Sequence, residues 1–137
     1  MDGWEKGAHG TTFGGNPVSC AAAVATIDAI KGEGLLEKSE RISRGVFGRL
    51  DALKRDCDVI GDLRGLGYMI GVEFVKDGNE PDPASVHRLK ERCLEKGLII
   101  LECGTHKNVI RFIPPLVTTD DQMDEALNIF ADEVRKL

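Results

Sequence analysis

The residues with the clearest chemical potential lie in a short loop near the N-terminus. Residues 11–15 read Thr-Thr-Phe-Gly-Gly and are followed by Asn16-Pro17. Asparagine accepts hydrogen bonds from the first free amides of a helix, and proline suits its first position, so a helix is predicted to begin there. Hydroxyls and free amides at a helix start can bind a phosphate. Because the Gly-Lys-Ser/Thr of a P-loop is absent, a simple capping loop is an equal interpretation.

A second candidate is an arginine in the middle of an apolar strand. Residues 109–113 read Val-Ile-Arg-Phe-Ile. Strand alternation places Arg111 on the same face as Val109 and Ile113. A planar guanidinium in such surroundings suits a carboxylate partner. The alternative is a solvent-facing arginine at a sheet edge, and the residues by themselves favour that alternative.

The remaining polar motifs suggest no reactive centre. The four cysteines lie far apart without a Cys-x-x-Cys pair, which predicts reduced thiols in a cytoplasmic protein and no metal site. The three histidines are scattered, so no nucleophile and base can be paired. Gly65, Gly67 and Gly71 do not have the spacing of a dinucleotide fingerprint and are predicted to permit a bend or bulge in a sheet.

Composition narrows the class of protein further. The 137 residues are 42% apolar and 30% charged, which is an ordinary globular mixture. A net charge of −5 argues against a nucleic-acid surface. No apolar run approaches the roughly 18 residues of a membrane helix, so no membrane partner is predicted.

The hydrophobic periodicity predicts two unlike pieces. Val18–Ile30 is apolar nearly all round, as expected for a buried helix, and an amphipathic helix runs from Leu35 to about Asp56. The order from Val59 is β-β-α-β-β-α, which predicts an α+β unit with helices on one face of a mainly antiparallel sheet. We therefore predict one piece over residues 1–56 and a small domain over residues 57–137.

The small domain is predicted from local signals at each element. Its strands are assigned to Val59–Ile60 with Leu63, Tyr68–Val75, a buried Leu98–Leu101 and Val109–Ile113. Its helices are assigned from the Asp82-Pro83 cap to Lys96 and from a capping box at Thr119–Gln122 to the C-terminus.

Four motifs in the same order resemble class III (ω-type) pyridoxal-phosphate aminotransferases. They are residues 9–23 (His-Gly-Thr-Thr-Phe-Gly-Gly-Asn-Pro-Val-Ser-Cys-Ala-Ala-Ala), residues 64–71 (Arg-Gly-Leu-Gly-Tyr-Met-Ile-Gly), Cys103-Gly-Thr, and residues 108–116. The cysteine-glycine loop before an Ile-Arg-Phe strand is most similar to the 4-aminobutyrate aminotransferase branch. The resemblance implies the C-terminal part of the pyridoxal-phosphate transferase fold type I.

The same resemblance implies roles for particular residues. Thr12 matches the threonine that binds the phosphate of pyridoxal 5'-phosphate in the neighbouring subunit of a homodimer, and Phe13 and Gly14 flank that contact. Arg111 matches an arginine that receives a substrate carboxylate. The implied reaction moves the amino group of 4-aminobutyrate, or another ω-amino acid such as acetylornithine, to 2-oxoglutarate.

The resemblance places the lysine that holds the cofactor upstream of the Thr-Phe-Gly-Gly loop. Lys6, the one lysine before that loop, does not match the family position. We therefore expect no catalytic residue among residues 1–137 and no transaminase activity from this chain alone. The alternative function is a stand-alone regulatory module that binds a carboxylate metabolite.

Overall fold

The computed structural model describes residues 3–137 and divides into two units, one ending at Gly34 and the other beginning at Leu35. The first unit contains helix α1 (Pro17–Gly32). The Asn16 side chain accepts hydrogen bonds from the amides of Val18 at 3.0 Å and Ser19 at 3.2 Å, which confirms the predicted cap. Contrary to the expected burial, no residue of α1 is buried, because residues 3–34 contain no second long element that could cover it.

Helix α2 (Leu35–Asp56) opens the second unit and spans the residues predicted for it. Its buried stripe contains Leu35, Ile42, Val46, Leu50 and Leu53. This stripe packs on the sheet and the last helix, so α2 belongs to the same compact unit as they do. The units thus divide at Gly34, whereas the sequence analysis placed a boundary after residue 56 because it left α2 out of the core.

The sheet is antiparallel throughout. Its strands are β1 (Ile60–Leu66), β2 (Met69–Lys76), β3 (Glu80–Pro81), β4 (Leu101–Cys103) and β5 (Val109–Phe112). The strand order is β1-β2-β5-β4, and the two-residue β3 pairs with β2 beside a short 3-10 turn at Asp77–Asn79. Helices α3 (Pro83–Glu95) and α4 (Asp120–Val134) complete the predicted β-β-α-β-β-α order, to which β3 is an addition.

The predicted buried strand at Leu98–Leu101 is wrong in position. Gly97 has a φ of +86° and turns the chain at the end of α3. The next amide, that of Leu98, donates to the carbonyl of Cys93 at 2.8 Å and so remains part of the helix end. Strand β4 consequently begins only at Leu101, and Ile99 is 79% exposed.

The core lies between the helices and one face of the sheet. Strands β2 and β5 supply Ile70, Val72, Phe74, Ile110 and Phe112 to it, and helices α2, α3 and α4 supply most of the rest. Phe130 of α4 packs edge-on against Phe112 and Phe74, at ring-centre distances of 4.9 and 6.4 Å. Because strand side chains alternate between faces, the residues between these apolar positions lie on the opposite, helix-free face.

Candidate functional site

The helix-free face of the sheet brings two arginines into one row. In the strand register, Arg64 of β1 and Arg111 of β5 both pair with Gly71 of β2, so Gly71 separates them. We call the side chains on this side of the four strands the open face: Asp62, Arg64, Leu66, Met69, Gly71, Glu73, Leu101, Cys103, Val109 and Arg111. The sequence prediction that Arg111 shares a face with Val109 is confirmed, and Ile113 lies beyond the end of β5.

Arg111 is exposed on this face. Within the described residues 3–137, no carboxylate oxygen lies within the 4.0 Å ion-pair distance of its guanidinium. An arginine without an internal partner is available to an external anion, and its fork matches the two oxygens of a carboxylate.

Arg64 differs from Arg111 because it is already paired. Its Nη1 donates to Asp62 Oδ2 and to Glu73 Oε2, both at 2.6 Å. The hydrogen bonds that Arg64 donates to Asp62, and then to Glu73, raise the pKa of Arg64 above its usual value, and the hydrogen bond from Arg64 lowers the pKa of Asp62. Arg64 and Asp62 therefore both stay charged over the ordinary pH range.

A buried amide fixes Glu73 in this arrangement. Asn108 is only 3% exposed, and its Nδ2 donates to Glu73 Oε1 at 3.3 Å and to the carbonyl of Phe74 at 3.0 Å. Sequence analysis missed Asp62, Glu73 and Asn108 as site residues. Alternation along β1 and β2 could have placed Asp62 with Arg64 and Glu73 with Gly71, but only the register joins the two strands.

A shallow cavity of about 320 Å³ lies over this row of residues. Its lining includes Arg64, Gly71, Cys103, Val109 and Arg111. A Cβ built at Gly71 would lie 3.4 Å from Val109 Cγ1 and 3.8 Å from Arg64 Cγ, so the glycine leaves the space between the arginines unfilled. The cavity can admit a small anionic group beside Arg111.

The predicted phosphate loop lies in the first unit and forms turns at residues 12–15. Thr12 is exposed, and in residues 3–137 its hydroxyl has no hydrogen-bond partner. The Asn16 amide donates to the Phe13 carbonyl at 3.3 Å, and Phe13 itself is 84% exposed. Gly14 lies two residues after Thr12 in the same run of turn residues.

This loop fits a phosphate group through Thr12 more than through the helix end. The Asn16 side chain already occupies the amides of Val18 and Ser19, and Pro17 has no N–H to donate. The hydroxyl of Thr12 and the loop amides are the donors left for a phosphate group. Thr12, Phe13 and Gly14 belong to the first unit, and Arg111 belongs to the second.

The remaining polar candidates are the histidines and the cysteines. His87 is exposed beside Glu91 and Glu102, at 3.4 and 3.8 Å, and all four cysteines are free. In residues 3–137, no group of three or more His, Cys, Asp or Glu side chains is arranged to hold a metal ion. Across the same residues, no helix has the length and apolar character needed to cross a membrane.

Comparison with known proteins gives a consistent result. The family model described as Aminotransferase class-III matches residues 1–134. A 4-aminobutyrate aminotransferase of Mycobacterium tuberculosis is 49% identical over 130 residues, which are 94% of this chain and 29% of that protein. A 5-aminovalerate aminotransferase of Pseudomonas aeruginosa is 40% identical over 134 residues, which are 96% of this chain and 32% of that protein.

The solved structures agree with this result. The acetylornithine aminotransferase of Elizabethkingia anophelis superimposes with a TM-score of 0.83 at 32% identity, over 100% of this chain and 33% of that one. The fold is thus that of the C-terminal part of a pyridoxal-phosphate transferase of fold type I. The chain spans about one third or less of the length of the relatives it matches.

Proposed function

The chain belongs to the class-III aminotransferases, which depend on pyridoxal 5'-phosphate, and from that premise we propose that it supplies two anion contacts of a transaminase active site. In this proposal Arg111 receives a substrate carboxylate, and Thr12, flanked by Phe13 and Gly14, contacts the cofactor phosphate. The cofactor, when bound, supplies the electron sink for moving an amino group. The residues of this chain bind and orient the groups around it.

The observation that carries the proposal is the environment of Arg111. The guanidinium of Arg111 lies on a sheet face beside an open cavity and has no carboxylate partner in residues 3–137. It is therefore available to bind a carboxylate from outside the chain. The two-oxygen fork contact fixes the orientation of the ligand as well as its charge. A substrate held in this way would have its reacting end directed away from Arg111.

We propose 4-aminobutyrate as the amino donor and 2-oxoglutarate as the acceptor. The 49% identity to the mycobacterial 4-aminobutyrate aminotransferase supports this donor over the 5-aminovalerate of the 40% identical relative. Both donors carry one carboxylate at the end opposite the amine. A homodimer and a cytoplasmic location belong to the same proposal.

A fusion protein tests the proposal. The chain replaces the corresponding C-terminal part of the mycobacterial relative, and the purified protein is assayed with 4-aminobutyrate, 5-aminovalerate and 2-oxoglutarate. We expect transamination with 4-aminobutyrate preferred over 5-aminovalerate. A folded fusion that binds the cofactor yet transaminates neither donor would overturn the proposal.

The chain by itself should be inactive, because no lysine in it matches the one that holds the cofactor. Incubation with pyridoxal 5'-phosphate followed by borohydride should leave no single modified lysine in the mass spectrum, and 4-aminobutyrate should not be consumed. Turnover together with one stoichiometric adduct would disprove this expectation. Carboxylate binding at Arg111 without any activity in the fusion would favour the stand-alone binding module.

A further inference from the structure

We propose that Asp62 and Glu73 are positioning residues that keep Arg64 away from the ligand, so that the open face binds one carboxylate through Arg111, and the second carboxylate of a dianion such as 2-oxoglutarate has no partner on this face. This inference rests on the proposed role of Arg111 in carboxylate binding. It assigns the two acidic side chains a part in substrate selection.

The geometry would otherwise favour a dianion. Arg64 and Arg111 flank the same residue, Gly71, on neighbouring strands, which places their backbones about 10 Å apart. Both side chains line the same cavity. Two free guanidiniums at this spacing could each hold one end of a short dicarboxylate.

The hydrogen bonds of Arg64 remove it from that role. Its Nη1 is shared between Asp62 and Glu73 at 2.6 Å each. The side chain of Glu73 is held in place, because its Oε1 accepts a hydrogen bond from Asn108 at 3.3 Å. Asn108 is only 3% exposed and also donates to the backbone carbonyl of Phe74 at 3.0 Å. For Arg64 to bind a ligand, it would have to leave two carboxylates that would then face the incoming anion.

The charges on the open face lead to the same conclusion. Arg64 and Arg111 contribute two positive charges, and Asp62 and Glu73 contribute two negative ones. The negative charges lie next to Arg64, so the free positive charge is concentrated at Arg111. The first carboxylate of a ligand can pair with the unpaired guanidinium of Arg111. A second carboxylate would lie near Arg64, whose charge is neutralised by its acidic neighbours.

The test measures how two carboxylates bind to the 137-residue chain. Butyrate and glutarate are titrated at constant ionic strength while the side-chain N–H signals of the arginines are followed by NMR. In the wild type, both ligands should shift the Arg111 signal with similar affinity, and the Arg64 signal should not respond. In D62N/E73Q, glutarate should gain about tenfold over butyrate, with a new shift at Arg64.

A matched control separates this effect from a change in total charge. The variant E80Q/E91Q removes two negative charges from exposed side chains outside the open face, and its ratio of glutarate to butyrate affinity should equal that of the wild type. An unchanged ratio in D62N/E73Q, or an equal rise in the control, would overturn the inference.

Two further variants keep the outcome decisive if D62N/E73Q does not fold. In R64Q, butyrate should still bind at Arg111, though more weakly than in the wild type, because the carboxylates of Asp62 and Glu73 have lost their cationic partner; a loss as large as that in R111Q would overturn the inference. In R111Q, butyrate binding should be lost. If R111Q binds butyrate normally, or the wild type does not bind it, the proposed function fails whatever the affinity ratios show.

Discussion

At the residue scale, the two arginines of the open face show how neighbours decide the chemistry of identical side chains. Arg64 shares one nitrogen between two carboxylates, whereas no carboxylate of residues 3–137 lies within ion-pair distance of Arg111. A paired guanidinium contributes to local structure, and an unpaired one beside a cavity can bind a ligand. The difference comes from Asp62 and Glu73, which surround only one of the two.

Cys93 predicts a pH dependence of stability. The thiol is fully buried, and burial followed by the nearby Glu133 carboxylate raises its pKa from an ordinary 9.0 to about 11. Between these values the unfolded chain has lost the proton that the folded chain keeps, so stability falls as the pH rises from 9 towards 11. The fall attributable to this thiol should reach up to about 2 kcal/mol.

Urea unfolding of the wild type and of Cys93→Ala at a series of pH values measures this contribution. The alanine variant is less stable at neutral pH because it leaves a small cavity, but it should lose less stability on going to alkaline pH. Parallel pH curves for the two proteins would contradict the assignment.

The buried hydroxyl of Tyr68 gives a second prediction about stability. Tyr68 is 5% exposed, and its hydroxyl has no hydrogen-bond partner in the described residues 3–137. Removing a buried hydroxyl without a partner removes a desolvation cost, so Tyr68→Phe should leave stability unchanged or raise it by about 1 kcal/mol. Thermal unfolding can measure this change, and a loss of more than about 1 kcal/mol would show that the hydroxyl has a partner.

At the element scale, the β1–β2 hairpin holds the site in register. Gly65 has a φ of +155°, and a Cβ there would lie 2.2 Å from the Met69 carbonyl oxygen. A Cβ at Gly71 would make only ordinary contacts, at 3.4 Å with a methyl group of Val109 and at 3.8 Å with Cγ and the carbonyl oxygen of Arg64. Gly65 is therefore needed by the backbone of the hairpin, and Gly71 leaves room on the open face.

Alanine substitutions separate these two roles. Gly65→Ala should cost at least about 2–4 kcal/mol of stability, because backbone atoms obstruct the methyl group. Gly71→Ala should change stability by less than about 1 kcal/mol, since a strand interior tolerates alanine better than glycine. Denaturant unfolding of both variants tests this expectation, and equal costs would contradict it.

Helix starts were predictable because their causes are local. Asn16, Asp82 and Thr119 each cap the helix expected of them, and the capping box at Thr119 includes Gln122 as predicted. The position of β4 was not predictable from an apolar run, because the amide of Leu98 bonds back to the end of α3. Hydrophobicity alone does not tell a buried strand from a chain returning from a helix.

The site was only partly predictable for the same reason. Alternation within β5 placed Arg111 on the correct face, and the role proposed for it comes from the resemblance. The ion pair between Arg64 and Glu73 depends on which residues of β1 and β2 face each other, and that register is a property of the assembled hairpin. The role of α2 in the core likewise depends on its packing partners.

At the scale of the whole molecule, the two units differ in how they are stabilised. The second unit has a continuous core contributed by three helices and the sheet. Helix α1 of the first unit is capped and regular, yet it buries none of its 16 residues. Val24 and Ile27, three residues apart on one side of this helix, are 59% and 51% exposed.

Such an apolar helix surface favours self-association. We expect sedimentation to show that the average mass rises with concentration, and replacing Val24 and Ile27 with lysine should return the chain to a monomer. A wild-type chain that stays monomeric at every concentration would contradict this expectation.

The measurement that bears most directly on the central claim is the kinetics of Arg111→Gln in the fusion protein. If Arg111 binds a substrate carboxylate, its loss should lower kcat/KM for 4-aminobutyrate, for 2-oxoglutarate or for both by about 100-fold or more, mainly through a higher KM. Arg44→Gln, which removes an exposed arginine of α2 outside the open face, should leave the kinetics unchanged. Equal kcat/KM values for Arg111→Gln and the unmodified fusion, with both substrates, would contradict the account.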